Sequence, residues 1–247
     1  MTTKDHVARM ARPIVVSSSD KGGVGKSFVT RCLAHCLCLW NAKWVGFDGD
    51  SQNSHLARFY SKVTQVDCHP LKTSEDFDRL LDKIEGVDAS TAILIDCPAG
   101  AGSLMMARGQ RMQALADHLG RPLYRLFSLD EEDDVLMSMK REAAVFGLGN
   151  VVAVLNGRFG PPEIFLLWQR VLKDGSPSMR EQVLAAGGKE IYLPPLPPAP
   201  RMAVRDARCP FHEAAGATAN LSFNERMNLE EWLTEMEAAF APLKELF

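Results

Sequence analysis

Short apolar runs alternate along this 247-residue chain with longer stretches in which apolar side chains recur at three- and four-residue steps. The short runs read as buried strands and the stepped stretches as helices packed on them. Strands are expected at Pro13 to Ser18, Lys43 to Asp48, Thr91 to Ile95, Leu123 to Ser128, Val151 to Leu155 and Ile191 to Leu193, with a short edge strand at Thr64 to His69. Between them, Phe28 to Leu39 sets Cys32, Leu33, Cys36 and Leu37 on one face, with Trp40 continuing it. Ser74 to Ile84 has the capping and amphipathic character of a surface helix, and another helix is expected from Ala101 to His118. Behind the breaker Gly160-Pro-Pro162 lies an amphipathic stretch, Glu163 to Leu172. The chain closes on an amphipathic helix over residues 225–247, with Leu229, Trp232, Leu233, Met236, Phe240 and Leu243 on its apolar face. This alternation specifies an α/β fold: a doubly wound, mostly parallel sheet with helices on both faces. A single domain over residues 1–247 accounts for it, behind a polar, frayed leader at residues 1–12.

Composition narrows the function classes. At 46% hydrophobic residues the chain can bury a full core. A net charge of −3 provides no global basic field, so any contact with DNA must come from a local patch. The six cysteines (Cys32, Cys36, Cys38, Cys68, Cys97, Cys209) follow no disulfide-like spacing, and no apolar signal segment lies near Met1, so a reduced, cytoplasmic protein is expected. No apolar run approaches the roughly 18 residues of a membrane span. The closing helix carries six acidic and two basic side chains over residues 225–247, which argues against docking on anionic lipid and for packing on the domain or a partner. Cys32, His35, Cys36 and Cys38 lie close together, which admits a metal site, but they form no paired CxxC units, and core packing accounts for them better.

The chemistry concentrates in Ser19-Asp-Lys-Gly-Gly-Val-Gly-Lys-Ser27, between the first strand and the first helix. Gly22, Gly23 and Gly25 permit backbone conformations that turn successive N–H groups around a phosphate, and the helix opening behind them favours an anion. Lys26 fits as the ammonium on the β- and γ-phosphates, and Ser27 as the hydroxyl on Mg²⁺, with Val24 and Phe28 flanking them. The usual pattern GxxxxGK[ST] fails here, because its first glycine would fall at Asp20, and a second lysine, Lys21, opens the run instead.

KGGVGKS resembles the deviant Walker A motif of the ParA/MinD family, in which the first lysine reaches across a dimer to the partner's nucleotide. The resemblance implies ATP and Mg²⁺ as ligands, an ATP-dependent homodimer and slow hydrolysis stimulated by a partner. Asp48-Gly-Asp50-Ser-Gln-Asn53 closes the second strand; the family's matching Asp-x-Asp assigns Asp50 to the attacking water and the metal, and Asp48 to a supporting place near Mg²⁺. Asp96-Cys-Pro-Ala-Gly100 looks like the Walker B and switch segment: Asp96 would hold Mg²⁺ through a water, and the turn would sense the γ-phosphate. Catalysis would then rest on Lys21, Lys26 and Asp50.

The remaining candidates carry two readings each. Asp130-Glu-Glu-Asp-Asp134 opens a helix, where acidic residues suit the dipole, and also resembles a family segment at the partner's nucleotide, with Glu131 as the match. Asn156 would read the adenine edge or form a turn with Gly157. Pro194-Pro-Leu-Pro-Pro-Ala-Pro200 would be a stiff loop over the base, with Pro194 in contact, or a polyproline ligand. Arg201, Arg205 and Arg208, at i, i+4 and i+7, would align on one helix face, either solvated or bound to non-specific DNA phosphates. KSFV, with Phe28 in place of a second threonine, and the Asp50-x-x-Asn53 spacing look similar to TraL/StbB-like ATPases of plasmid mobilisation and stability systems. The expected function is an ATP-hydrolysing dimeric switch in partition, stability or transfer of plasmid DNA, nucleoid-associated if it binds DNA, with an adaptor or centromere-binding protein as partner. A conjugation ATPase docking on a protein, or a nucleotide-holding scaffold, are the alternatives.

Overall fold

A computed structural model describes residues 11–171 and 175–247. In chain order the elements are β1 (Ile14–Ser18), α1 (Lys26–Leu39), β2 (Trp44–Asp48), α2 (His55–Tyr60), β3 (Val66–Cys68), α3 (Ser74–Glu85), β4 (Ala92–Asp96), α4 (Gly102–His118), β5 (Leu123–Leu129) and α5 (Asp134–Phe146). They continue as β6 (Val151–Asn156), α6 (Leu166–Gln169), α7 (Met179–Ala185), β7 (Lys189–Leu193), α8 (Pro198–Ala207), α9 (Phe211–Glu213) and α10 (Phe223–Phe240). The strands form one seven-stranded sheet in the order β3-β2-β4-β1-β5-β6-β7, with every pairing parallel. The seven expected strands are all present, and the expected edge strand is indeed at an edge.

Successive side chains of a strand point to opposite faces, and the core divides accordingly. Val15, Leu94, Leu126 and Val154 face α1, α2 and α10, whereas Ile14, Val16, Ile93 and Ile95 face α3 and α4, and Phe127, Ala153 and Leu155 face α5 and α7. Three helices start on reciprocal capping boxes, Thr73 with Asp76, Ser178 with Glu181 and Ser222 with Glu225, which satisfy N–H groups that the helix itself leaves free.

Several expected boundaries shift for local reasons. The closing helix begins at Phe223 and ends at Phe240, because Pro242 has no N–H to continue it, and residues Ala241–Leu246 tighten into a 3₁₀ turn. Its apolar face is covered by the domain: Leu229, Trp232, Met236 and Phe240 belong to the core around α1. The stretch expected as one amphipathic helix from Glu163 breaks into a 3₁₀ turn (Pro162–Ile164) and α6, and Arg170 is extended; Leu172 lies outside the described residues. Trp168 anchors this segment instead, its indole N–H donating to Glu190 Oε2 at 2.6 Å. Of the expected leader, residues 1–10 lie outside the described residues, and Arg12 is held, its N–H on the Ala89 carbonyl at 2.8 Å.

Candidate functional site

β1 is the central strand, and the loop that leaves its C-terminal end runs into α1, the position where open parallel sheets bind ligands. Gly23 and Gly25 take φ of +80° and +97°, which places the loop's turn in the region a side chain resists. A Cβ on Gly25 would come within 2.5 Å of Asn156 Nδ2, so glycine is required there twice over. The loop is fastened from below. The Asn156 carboxamide donates to the Val24 carbonyl at 2.9 Å, and Ser128 Oγ donates to the same oxygen at 2.6 Å. Asn156 Oδ1 accepts the Arg158 N–H at 3.2 Å and its backbone carbonyl the Phe159 N–H at 3.0 Å, which is the turn expected with Gly157, so the side chain is engaged by its own protein at both ends.

Lys26 is buried and folds back over the loop, its ammonium on the Lys21 carbonyl at 2.6 Å. Burial lowers its pKa, against the pull of Asp96, Asp20 and Asp50 nearby. Lys21 points elsewhere. Its ammonium lies 2.8 Å from Asp130, 3.2 Å from Asp134 and 3.5 Å from Glu132. Burial would lower the Lys21 pKa, but the carboxylates outweigh it and raise it. The acidic run does stand at the start of α5, with Asp133 at the N-cap and Asp134 in the first turn where the dipole favours a carboxylate, but Asp133 makes no side-chain cap bond, and Asp130, Glu132 and Asp134 also pair with Lys21. Glu131 is exposed and takes no part in these ion pairs.

Asp48 and Asp96 are register partners at the ends of β2 and β4. Asp96 Oδ1 accepts from Ser17 Oγ at 3.0 Å and Thr30 Oγ1 at 3.3 Å. Burial pushes its carboxyl up to about 6, against the hydrogen-bonding pull of Ser27 and Ser17 and with the charge of Asp48 adding to the rise. Asp48 is fully buried and accepts the N–H groups of Asp50 and Ala57 at 3.2 and 3.0 Å, which shapes the loop that presents Asp50. Asp50 accepts from the N–H groups of Gln52 and Asn53 at 2.9 and 3.0 Å. Gly22, Gly23, Gly25, Lys26, Ser27, Asp50 and the Cys97-Pro-Ala99 turn line one cavity of about 450 Å³. Its oxygen donors, the Ser27 hydroxyl with the Asp96 and Asp50 carboxylates nearby, suit Mg²⁺, which is held by one or two carboxylates together with substrate phosphates.

Asp20, where the usual pattern has glycine, ties this loop to the next. Its carboxylate accepts the Gly102 N–H at the start of α4, its carbonyl accepts the Gly100 N–H at 3.1 Å, and Arg141 lies 3.3 Å from its other oxygen. An adjoining, more apolar cavity is lined by Phe28, Asn156, Arg158, Arg201 and the run Pro194 to Pro198. Trp232 holds that run, its indole N–H on the Pro194 carbonyl at 2.9 Å, while Phe28 packs on Phe211 and Trp232 with ring centroids 5.8 Å away. The proline run is thus a loop at the cavity as far as Pro197, and α8 starts at Pro198.

The arginine face is corrected. α8 ends at Ala207, and Arg208 adopts a left-handed conformation (φ 50°, ψ 44°), so it leaves the helical face. Arg201 and Arg205 line the loop's cavity. Cys32 and Cys36 are buried among the core residues of α1, and His35 binds Glu237 at 2.8 Å; among the described residues no group of three or more His, Cys, Asp or Glu is arranged to hold a metal. The sequence reading missed Arg31, Arg158 and Ser128, none of which stands in a motif, and noted Asp20 only as a departure from the glycine pattern, without its ties to Gly100, Gly102 and Arg141.

Fold and loop together define the class: an α/β protein with the P-loop nucleotide-binding fold. No family model matches the chain. Among solved structures, the signal recognition particle receptor FtsY from Elizabethkingia anophelis superposes with a TM-score of 0.50 at 12% identity, over 91% of this chain and 66% of that one, a likeness of fold alone. The septum site-determining protein MinD from Pyrococcus horikoshii, solved with Mg-ADP, gives a TM-score of 0.47 at 18% identity over 94% and 98%. In sequence, the chain is similar to Protein MobD of Acidithiobacillus ferrooxidans, 25% identical over 185 residues, 75% of this chain and 78% of that protein. Among the described residues no helix is long and apolar enough to cross a membrane.

Proposed function

We propose that this protein is an ATP-binding and hydrolysing dimeric switch of the ParA type that serves the partition, stability or transfer of plasmid or mobile-element DNA. The observation that carries the nucleotide part is the convergence, at the end of the central strand, of the left-handed Gly23 and Gly25, buried Lys26 and the Asp50 side chain on one cavity beside Asp96. The loop N–H groups would cradle the β-phosphate, and Lys26 would leave the Lys21 carbonyl for the phosphate oxygens. Ser27, with Asp96 through a water, would hold Mg²⁺, which would neutralise charge on the phosphates. Asp50, on a loop fixed by Asp48, would orient the attacking water. Lys21 would exchange Asp130, Glu132 and Asp134 for the nucleotide of a second copy. Phe28, Pro194 and the neighbouring prolines would take the base, while Asn156 shapes the loop and the cavity wall.

The mobile-element assignment rests on the sequence resemblance and on the similarity to Protein MobD. A second reading, an ATPase that docks on a protein without binding DNA, gains from the placement of Arg201 and Arg205 at the nucleotide cavity and the departure of Arg208 from their face. Two measurements decide. ATP turnover of Asp50→Ala should fall well below wild type; equal rates would remove Asp50 from the reaction and favour a nucleotide-holding scaffold. Retention on DNA with ATP, ADP and no nucleotide, at two salt concentrations, separates the partition reading (ATP-dependent and salt-sensitive) from the protein-docking one (none in any state).

A further inference from the structure

Arg31 sits on α1, four residues beyond Ser27 and so one turn further along the same face. Side chains on a helix lean toward its N-terminus, which directs this guanidinium back toward the phosphate loop. It is only 7% exposed, yet it lines the loop's cavity. Two rings fix its plane: its Cζ lies 3.4 Å from the centroid of Phe59 and 4.8 Å from that of Phe211. Nε and Nη2 are buried and meet no acceptor.

A guanidinium does not give up its proton at accessible pH, so the site holds a buried positive charge with unused donors. Burial does pull its pKa down, as expected of a charge without a counter-ion. Leaving such a charge unpaired is costly, and stacking on rings offsets only part of that. Arg158, Arg201 and Arg205 line the same cavity, so four arginines face one space in which, among the described residues, Asp50 is the single lining carboxylate; Arg205 also shares its charge with Asp206 at 3.1 Å, outside the lining. That is more positive charge than the phosphate loop requires, since the loop already has its N–H groups, Lys26 and the metal-binding oxygens.

We propose that this cavity contains a second oxyanion subsite, built on Arg31 with Arg205 at its rim, for a phosphoryl group distinct from those held by the glycine loop. Guanidinium forks match the geometry of phosphate oxygens, and several around one space suit a doubly charged group better than a carboxylate. The phosphoryl group is carried either on the ribose of the bound nucleotide or as separate inorganic phosphate. Nine-tenths coverage of Arg31 favours such small carriers over a polymer backbone. The inference rests on the reading that the glycine loop binds a nucleotide.

The test uses the full chain and two probes. In one arm, inorganic phosphate is titrated by calorimetry into protein saturated with Mg-ADP and into nucleotide-free protein. In the other, adenosine 3′-phosphate 5′-diphosphate is compared with ADP. The expected result is a second phosphate-binding event on the Mg-ADP form, assigning a separate phosphate, or at least about tenfold tighter binding of the 3′-phosphorylated nucleotide, assigning the ribose, where about tenfold corresponds to one added charge-assisted contact. Arg31→Gln should abolish the gain, Arg31→Lys should keep only part of it, and Arg205→Gln, at an exposed position that does not risk the fold, should reduce it. No gain in wild type while ADP binds overturns the subsite and leaves the nucleotide reading intact, and a gain that survives both glutamine variants overturns it as well. Failure of wild type to bind ADP refutes the nucleotide reading instead. In that case the nucleotide-free phosphate arm still decides: binding unaffected by Arg31→Gln overturns the subsite, and binding lost with it supports it.

Discussion

Replacing Asn156 by alanine separates two jobs that one carboxamide could perform. Asn156 is 2% exposed, donates to Val24 O at 2.9 Å and accepts from the Arg158 N–H at 3.2 Å. Each of these bonds contributes about 1 kcal/mol net, and the truncation leaves a small void beneath Gly25, so the loss amounts to about 2–3 kcal/mol. In a chain of this size each kcal/mol moves Tm by about 2–4 °C, so the variant should melt about 4–12 °C below wild type. Because the carboxamide fixes the phosphate loop, binding of Mg-ADP, Mg-GDP and pyrophosphate should weaken together in calorimetric titrations. A side chain that read the base would behave differently. An unchanged Tm, with pyrophosphate binding intact and only the preference for adenine lost, would refute the loop-holding account.

Two further outcomes follow from buried charge. The pKa of His35 is pulled down by burial and by His212, against the opposing pull of Glu237 at 2.8 Å. The unfolded chain therefore takes up this proton first, so stability holds above about pH 6.5 and falls as the pH drops below it; urea midpoints at pH 5.5 and 7.5 should differ less in His35→Gln than in wild type, and an identical pH dependence would contradict this. Arg125 and Glu142 form a fully buried pair at 3.6 Å between β5 and α5. Glu142→Gln leaves the guanidinium unpaired and should cost about 3–5 kcal/mol in urea unfolding, much of which the double change Arg125→Met/Glu142→Leu should recover; a cost under about 0.5 kcal/mol, the range of an ordinary surface change, would show that the pair contributes little.

The sheet was legible because each buried parallel strand is a continuous apolar run, and the tight turn between β1 and α1 because glycines at fixed spacing mark backbone that a side chain resists. Strand ends also located Asp48 and Asp96, with Asp50 two residues beyond β2, while the roles expected of them came from the family resemblance. What escaped depends on meetings between distant segments. Lys21 and Asp130 lie far apart in sequence, so the acidic run showed its place at a helix start but not its pairing with a loop lysine. Arg31 stands among core residues of α1, and periodicity gives its face but not the rings that stack on it. The spacing of Arg201, Arg205 and Arg208 describes a face only while the helix lasts, and the left-handed Arg208 ends it. Asn156 ends β6 and forms the turn that Asn-Gly suggested, but its hold on the Val24 carbonyl needs a contact across the fold that no local pattern shows.

The central claim is that the glycine loop binds a nucleoside triphosphate through Lys26, and calorimetric binding of Mg-ATP to wild type and Lys26→Ala tests it most directly. Removing the buried ammonium forfeits charge-assisted contacts worth about 1.5–3 kcal/mol, so saturable binding by wild type should weaken about tenfold to a hundredfold in the variant. Absence of binding in wild type, or equal affinity in the two proteins at matched fold stability, would contradict the account.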